Sequence, residues 1–209
     1  MEITPNNPTE SLSFPLSLYK SVKIGEATGK DGARFFIFVG LDKKLAGELK
    51  KLSLDESDVE LQKNTSDRER FGAGSYEAWY AKDRVPFALT SAKTGELAAI
   101  AWFGPKALGR KSQKHLSEKE KQENENLIPN ENWHTISYRC YPHFRGKGLM
   151  KGFVGFAMNL YIKHNPGIKI WAGINSENMA SDALATGLGF QVDEDASDRA
   201  AHWLVMIKQ

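Results

Sequence analysis

The sequence predicts a chain of the mixed α/β class. Two observations carry the prediction. Short β-branched and aromatic runs alternate with stretches of helical periodicity throughout. Between residues 133 and 190 the order strand, glycine-rich turn, helix, strand, helix, strand can be followed almost without a break.

The first thirteen residues are rich in Pro, Asn and Ser, and that composition predicts a loose segment. Tyr19 to Glu26 and Ala33 to Val39 then predict a hairpin around Thr28-Gly29-Lys30-Asp31-Gly32. Phe35 to Val39 is its stronger strand. Leu41 to Leu54 predicts an amphipathic helix whose apolar positions are Leu45, Leu49 and Leu52. Lys43, Lys44, Lys50 and Lys51 form its solvated face. Asp55 to Arg70 is polar and predicts helix with a break. Phe71 to Arg84 carries Tyr76, Trp79 and Tyr80, which are expected in the core because large aromatics dominate core burial, the alternative being that some line an acceptor pocket. Pro86 to Ser91 and Leu97 to Phe103 predict two strands joined by Lys93-Thr94-Gly95-Glu96.

Gly104 to Asn132 is a long polar insertion. Its first half carries Lys106, Arg110, Lys111, Lys114, Lys119 and Lys121, and its second half Glu123, Glu125 and Glu131. Such a segment is a solvated loop or short helix on composition. The functional alternative is a flap over a bound acceptor.

Trp133 to Cys140 predicts a strand. Tyr141 to Met150 is a turn with Gly146 and Gly148. Leu149, Phe153, Phe156, Ala157 and Leu160 follow at three- and four-residue steps, the helical period. Val154 and Met158 widen that stripe, so the helix should be buried over much of its surface. Lys163 and His164 suit the negative end of the dipole, and Asn165-Pro166-Gly167 stops the helix. Gly152 and Gly155 cost roughly 1 kcal/mol each against Ala, which close backbone packing would explain. Strand, turn and helix in this order aim backbone N–H groups and the positive end of a dipole at one point, an anion site. The turn is neither a Walker loop, because Leu149 follows Gly148, nor a dinucleotide fingerprint, which needs a third glycine.

Ile168 to Ala172 predicts a short buried strand. Asn178 then caps a helix that Gly189 ends. Phe190 to Val192 and Ala201 to Lys208 predict a closing antiparallel pair, with Asp193 to Arg199 as an acidic connection.

Two blocks of this stretch resemble the GNAT superfamily of acyl-CoA-dependent N-acetyltransferases. The family's pyrophosphate loop reads R/Q-x-x-G-x-G/A, and a later helix reads Asn-x-x-Ala/Ser followed by Leu-Gly-Phe. Arg145, Gly148, Asn178, Ser181, Leu188, Gly189 and Phe190 match, and the spacing between the blocks fits. The resemblance is clear from Trp133 to Phe190, extends over Pro86 to Gln209, and is absent from the first 32 residues. It departs at Met150, where the family has Gly or Ala, and at Ala185, where many members carry a Tyr that protonates the departing thiolate.

The resemblance implies a central mixed, mostly antiparallel sheet flanked by helices and splayed near Tyr138 to Tyr141, where the cofactor enters. It implies residues 1–32 as an N-terminal extension holding the hairpin, and residues 33–209 as one acetyltransferase-like domain with the 104–132 insertion. It implies an enzyme that moves an acetyl group from acetyl-CoA to a primary amine by direct attack, without a metal. The alternative is a non-catalytic acyl-CoA-binding or regulatory domain of the same fold. Tyr138, Cys140, Arg145, Gly146, Lys147, Gly148, Leu149, Met150, Asn178 and Ser181 are the implied cofactor-binding residues.

Amine acetylation needs a deprotonated amine, and a free lysine titrates near ~10.4. It also needs a donor for the carbonyl oxygen. The family often keeps its base on the strand before the turn. His134, with a reference pKa near ~6.5, is the titratable candidate there, with Tyr138, Tyr141 and Ser181 as alternatives for proton handling. A histidine hydrogen-bonded within the sheet is the structural alternative. A thiol of pKa near ~8.5 is a fair leaving group, so the missing Tyr at Ala185 need not abolish transfer. Cys140 has no partner His or Asp at a recognisable spacing and is expected as a small core residue.

Composition sets outer bounds. The 209 residues are 41% hydrophobic, enough for a sizeable core, and the net charge of +2 argues for neither nucleic acid nor an anionic membrane. One cysteine allows no intramolecular disulfide. Met1 to Pro5 lacks a basic region followed by an apolar run, and a cytoplasmic protein is expected.

Overall fold

The computed structural model describes residues 1–6, 12–111 and 132–208. Among the described residues nine strands are formed, mostly antiparallel in their pairing, together with five α-helices. The chain divides into two compact units, Met1–Phe103 with Ser137–Pro166, and Gly104–Ile136 with Gly167–Gln209.

In the first unit the strands β1 (Glu2–Pro5), β2 (Val22–Thr28), β3 (Arg34–Val39), β4 (Val85–Ser91) and β5 (Leu97–Pro105) are paired in sequence order. The hairpin read from the sequence closes where expected, with Gly29 N donating to Ala33 O at 2.8 Å. β1 corrects the expectation of a loose N-terminus. Ile3 pairs with Ala27 and Thr4 with Glu26 on the free edge of β2. Its four residues show no alternation and end in Pro5, which lacks the N–H a ladder uses, so nothing local announces a strand. β1 also accounts for Gly152, since a Cβ there would stand 3.2 Å from the Met1 Cε.

β4 and β5 are buried along nearly their whole length, as their uninterrupted apolar runs require. Between β3 and β4 lie the helices α1 (Lys43–Ser53), α2 (Val59–Asn64) and α3 (Tyr76–Tyr80), with a π-turn at Arg68–Ala73. The break predicted within Asp55 to Arg70 falls between α2 and that turn. Asp42 caps α1, accepting from Leu45 N at 2.8 Å. Leu45 and Leu49 are buried, each contributing about 1.5–3 kcal/mol on burial. They join Phe71, Tyr76, Trp79, Tyr80, Ile100 and Trp102 in one core cluster, so the aromatics act as core. Phe71, Trp79 and Trp102 meet edge to face at 5.1–5.8 Å. The helix α4 (Met150–His164) buries Phe153, Val154, Ala157, Met158, Leu160 and Tyr161, the wide stripe expected.

In the second unit the start of β6 (Trp133–Cys140) pairs in parallel with β7 (Lys169–Asn175), and β7 pairs antiparallel with β9 (Trp203–Lys208). β9 in turn pairs with β8 (Gln191–Asp198). The registered parallel pairs are Trp133↔Lys169, His134↔Ile170 and Thr135↔Trp171, although β6 runs on to Cys140. The helix α5 (Met179–Gly187) ends at Gly189, whose φ is +87°. Gly173 lets Trp203 lie against the sheet, since a Cβ there would fall 2.2 Å from the indole. The expected acidic connection is a correction. Asp193 to Asp198 belongs to β8, with its register shifted between those two residues. An outermost strand can keep polar residues on both faces, so apolar alternation did not mark it.

The flap reading of the polar insertion falls on residues 112–131 and lies outside the described residues. Among the described residues, no helix is long and apolar enough to cross a membrane.

Candidate functional site

Tyr138, Cys140 and the whole of Arg145 to Met150 lie in the first unit; His134, Asn178 and Ser181 lie in the second. The first group is held by charge. Side chains alternate along a strand, so Arg139 points away from the face shared by Tyr138 and Cys140. Its guanidinium donates to Asp67 through Nε at 2.6 Å and Nη2 at 2.9 Å, and to the Tyr138 carbonyl through Nη1 at 2.7 Å. Arg70 Nη1 reaches the same carboxylate at 2.5 Å. Asp67 is only 1% exposed. Burial alone would raise its pKa, but the Arg139 and Arg70 guanidinium groups outweigh burial and hold it below the usual carboxylate range. Arg139 also stands 4.9 Å from the Trp102 ring centroid.

After β6, Tyr141 is buried, and its hydroxyl has no hydrogen-bond partner among the described residues. Pro142–Phe144 form a single 3₁₀ turn, and Phe144 meets Phe35 of β3 edge to face at 6.1 Å. Arg145, the arginine of the loop motif, is a structural tie. Its Nε donates to the Cys140 carbonyl at 2.8 Å and its Nη2 to Asp58 Oδ2 at 2.5 Å. Asp58 is itself the N-cap of α2, accepting from Leu61 N at 3.1 Å. Burial pushes the Cys140 thiol up to about 11, which Arg145 and Lys147 offset only in part, so it is no nucleophile at neutral pH.

Gly146 and Gly148 have φ of +74° and +68°, the left-handed region that favours glycine, and open space where a Cβ would sit. Leu149 is buried, while Met150, the first residue of α4, is half-buried. The start of α4 stands apart from the other described α-helices. Asp42, Asp58, Ser75 and Asn178 cap α1, α2, α3 and α5 with their side chains. Among the described residues α4 has no side-chain cap, and it has no acidic residue in its first turn. Its first N–H groups, together with the dipole, remain available to an anion from outside. Lys30 and Asp31, from the tip of the β2–β3 hairpin, join Gly146, Lys147 and Gly148 around a shallow depression beside this helix start.

In the second unit, His134 is half-buried on β6 opposite Ile170. Asn178 Oδ1 accepts from Ser181 N at 3.1 Å, so the matched Asn and Ser make the N-cap of α5 with each other. Ala185 is 1% exposed and offers no hydroxyl. Among the described residues, no group of three His, Cys, Asp or Glu is placed to hold a metal ion.

Sequence reasoning did not find Lys30, Asp58, Asp67 or Arg139 as part of this arrangement. Asp58, Asp67 and Arg139 pair with residues far away in the chain, and Lys30 lines the depression beside a loop more than a hundred residues on, so no local spacing records them.

No protein-family model matches the chain, and no curated protein matches it significantly. Solved structures do. The GNAT domain of S. lividans PAT superposes with a TM-score of 0.58 at 15% identity, covering 88% of this chain and 94% of that one. A ribosomal-protein-S5-alanine acetyltransferase from Vibrio fischeri gives 0.52 at 13% identity, covering 82% and 92%. The aminoglycoside acetyltransferase AAC(6')-Ib, solved in complex with coenzyme A, gives 0.51 at 14%, covering 78% and 88%. With its sheet order and its strand–turn–helix at β6 and α4, this chain has the fold of the GNAT superfamily.

Proposed function

We propose that the chain is an acyltransferase that moves an acetyl group from acetyl-CoA to a primary amine. The observation that carries the reading is the start of α4. It is uncapped and free of acid, it follows two left-handed glycines with open space above them, and it sits in a GNAT fold. Those features fit a diphosphate held mainly by main-chain N–H groups of Arg145 to Met150. The coenzyme A found with one structural neighbour supports the same choice of donor.

In this reading the thioester supplies an activated acyl group. The amine nitrogen forms a bond to the carbonyl carbon, the carbon–sulfur bond breaks, and the thiolate takes up a proton. Tyr138 and Cys140 contribute main-chain groups near the reacting end, and Asn178 and Ser181 support the cosubstrate. His134 or Tyr138, on the strand before the turn, accepts the amine proton. The neighbours' names point to acceptors as different as a ribosomal protein and an aminoglycoside, so the fold leaves the amine open.

The test is calorimetry with acetyl-CoA on the wild type and on Gly148→Asp, followed by thiol release across a panel of amines. Asp tolerates the left-handed region better than most residues, and no atom stands within 4 Å of the new Cβ, so the variant should fold. The carboxylate repels the diphosphate, and affinity should fall by about tenfold or more, equivalent to ~1.4 kcal/mol or more. A wild type that does not bind, or a variant that binds equally well, rejects this loop as the site. Binding without thiol release for any amine would favour the non-catalytic acyl-CoA-binding reading, which the buried Ala185 supports.

A further inference from the structure

The β2–β3 hairpin lies outside the part of the chain that resembles the GNAT motifs, yet it reaches the candidate diphosphate loop. Gly29 packs against the residue that opens α4, since a Cβ on it would stand 3.6 Å from Leu149 Cδ2. The tip is closed by main-chain hydrogen bonds. Gly29 N donates to Ala33 O at 2.8 Å, Gly32 N to Gly29 O at 3.0 Å, and Gly32 takes a left-handed φ of +78°. Phe35, one strand further on, contacts Phe144 across the same loop. The depression between tip and loop is lined by Lys30, Asp31, Gly146, Lys147 and Gly148.

Charge is arranged unequally around it. The Asp31 carboxylate is turned back into the hairpin, accepting from Ala33 N at 3.1 Å. Lys30 is exposed at the rim. Lys147, from the loop side of the lining, has its Nζ 5.5 Å from the Phe144 ring centroid. Two ammonium groups therefore flank an open, glycine-floored surface, and the one carboxylate is occupied by its own turn.

We propose that Lys30 binds a phosphate of coenzyme A at this depression, so that the N-terminal hairpin becomes part of the cosubstrate site. The inference rests on the acyl-CoA reading. The ligand chemistry is a phosphate monoester or diphosphate oxyanion. Coenzyme A offers both, as its 3′-phosphate and its diphosphate.

The experiment is calorimetry of the full chain with coenzyme A and with dephospho-coenzyme A, comparing wild type, Lys30→Glu and Lys93→Glu. Lys93 lies exposed in the β4–β5 turn and controls for the change in net charge. Lys30→Glu should raise the Kd for coenzyme A by about tenfold, with the effect shrinking in 0.5 M salt because an exposed contact is screened. Lys93→Glu should leave it unchanged. An effect confined to coenzyme A places Lys30 on the 3′-phosphate; an equal effect on both ligands places it on the diphosphate. If Lys30→Glu binds both ligands as the wild type does, the inference is overturned while the acyl-CoA reading stands. If the wild type binds neither ligand, both fall.

Discussion

Asp67→Asn is the substitution whose consequence can be worked most fully from the structure. Asp67 accepts three charge-assisted bonds at 2.5–2.9 Å, from Arg70 Nη1 and from Nε and Nη2 of Arg139, and it is only 1% exposed. Asparagine has nearly the same shape, but it loses the charge and turns an N–H₂ toward one guanidinium. Two arginines are then left close together, with Arg139 only 15% exposed in its side chain. Removing one partner of a buried pair costs about 3–5 kcal/mol, because the other charge stays desolvated. With a urea m-value of roughly 2 kcal/mol/M, the unfolding midpoint should drop by about 1.5–2.5 M. Trp79 and Trp102 sit in the cluster and report unfolding by fluorescence. Asp67→Asn with Arg139→Met removes both ends of the pair and should recover most of the loss, with a coupling of about 2 kcal/mol or more.

The pH dependence follows from the direction of the shift. The folded Asp67 pKa is depressed below its unfolded value of ~3.9, because the two guanidinium groups outweigh burial. Its stabilisation is therefore complete above that value and is lost as pH falls through the folded pKa. The gap between wild type and Asp67→Asn should narrow as pH is lowered from about 5 toward 2. A cost under about 1 kcal/mol at neutral pH, or a cost that does not change with pH, would refute the argument that Asp67 compensates the two buried guanidinium groups.

Two further outcomes are expected. His134→Gln should lower kcat/KM for amine acetylation by roughly 10²–10⁴-fold and flatten the pH–rate profile while acetyl-CoA affinity holds; a normal rate removes His134 as base. Cys140 should alkylate with iodoacetamide only slowly at pH 8, with a rate still rising through pH 10, since burial pushes the thiol up to about 11; a rate that levels off near pH 8.5 contradicts that environment.

Much of the fold was legible because periodicity and punctuation act locally. Phe153, Ala157 and Leu160 at helical steps marked α4, and Asn165-Pro166-Gly167 marked its end. Asn178 and Gly189 bracketed α5 by capping chemistry that needs no tertiary partner. What stayed hidden was decided at a distance. β1 exists because the edge of β2 accepts it, and β8 continues through Asp193 to Asp198 because β9 pairs with it. For the site, Gly146 and Gly148 were visible as turn residues, whereas the pairing of Arg145 with Asp58 spans 87 positions and leaves no local trace. The partner of that arginine gives it a role opposite to the one its charge suggests.

That difference bears on how the loop works. A loop that offered its main-chain N–H groups to a diphosphate would have to keep them exposed, so the burial of Leu149 can fix its shape only in part. Here two carboxylates from one short segment do so. Asp58 at the start of α2 holds Arg145 inside the loop, and Asp67 just before the π-turn holds Arg139 on the strand that feeds it. A six-residue helix such as α2 is too short to be stable alone, so the dependence runs both ways. The loop positions α2 through Asp58, and α2 positions the loop. If the loop binds a diphosphate as proposed, Arg145 would contribute to affinity by preorganising the N–H groups of Gly146 to Met150, because its guanidinium is already held by Cys140 O and Asp58. In that proposal the positive charge beside the ligand would come from Lys147 in the loop and Lys30 on the hairpin, which both line the depression.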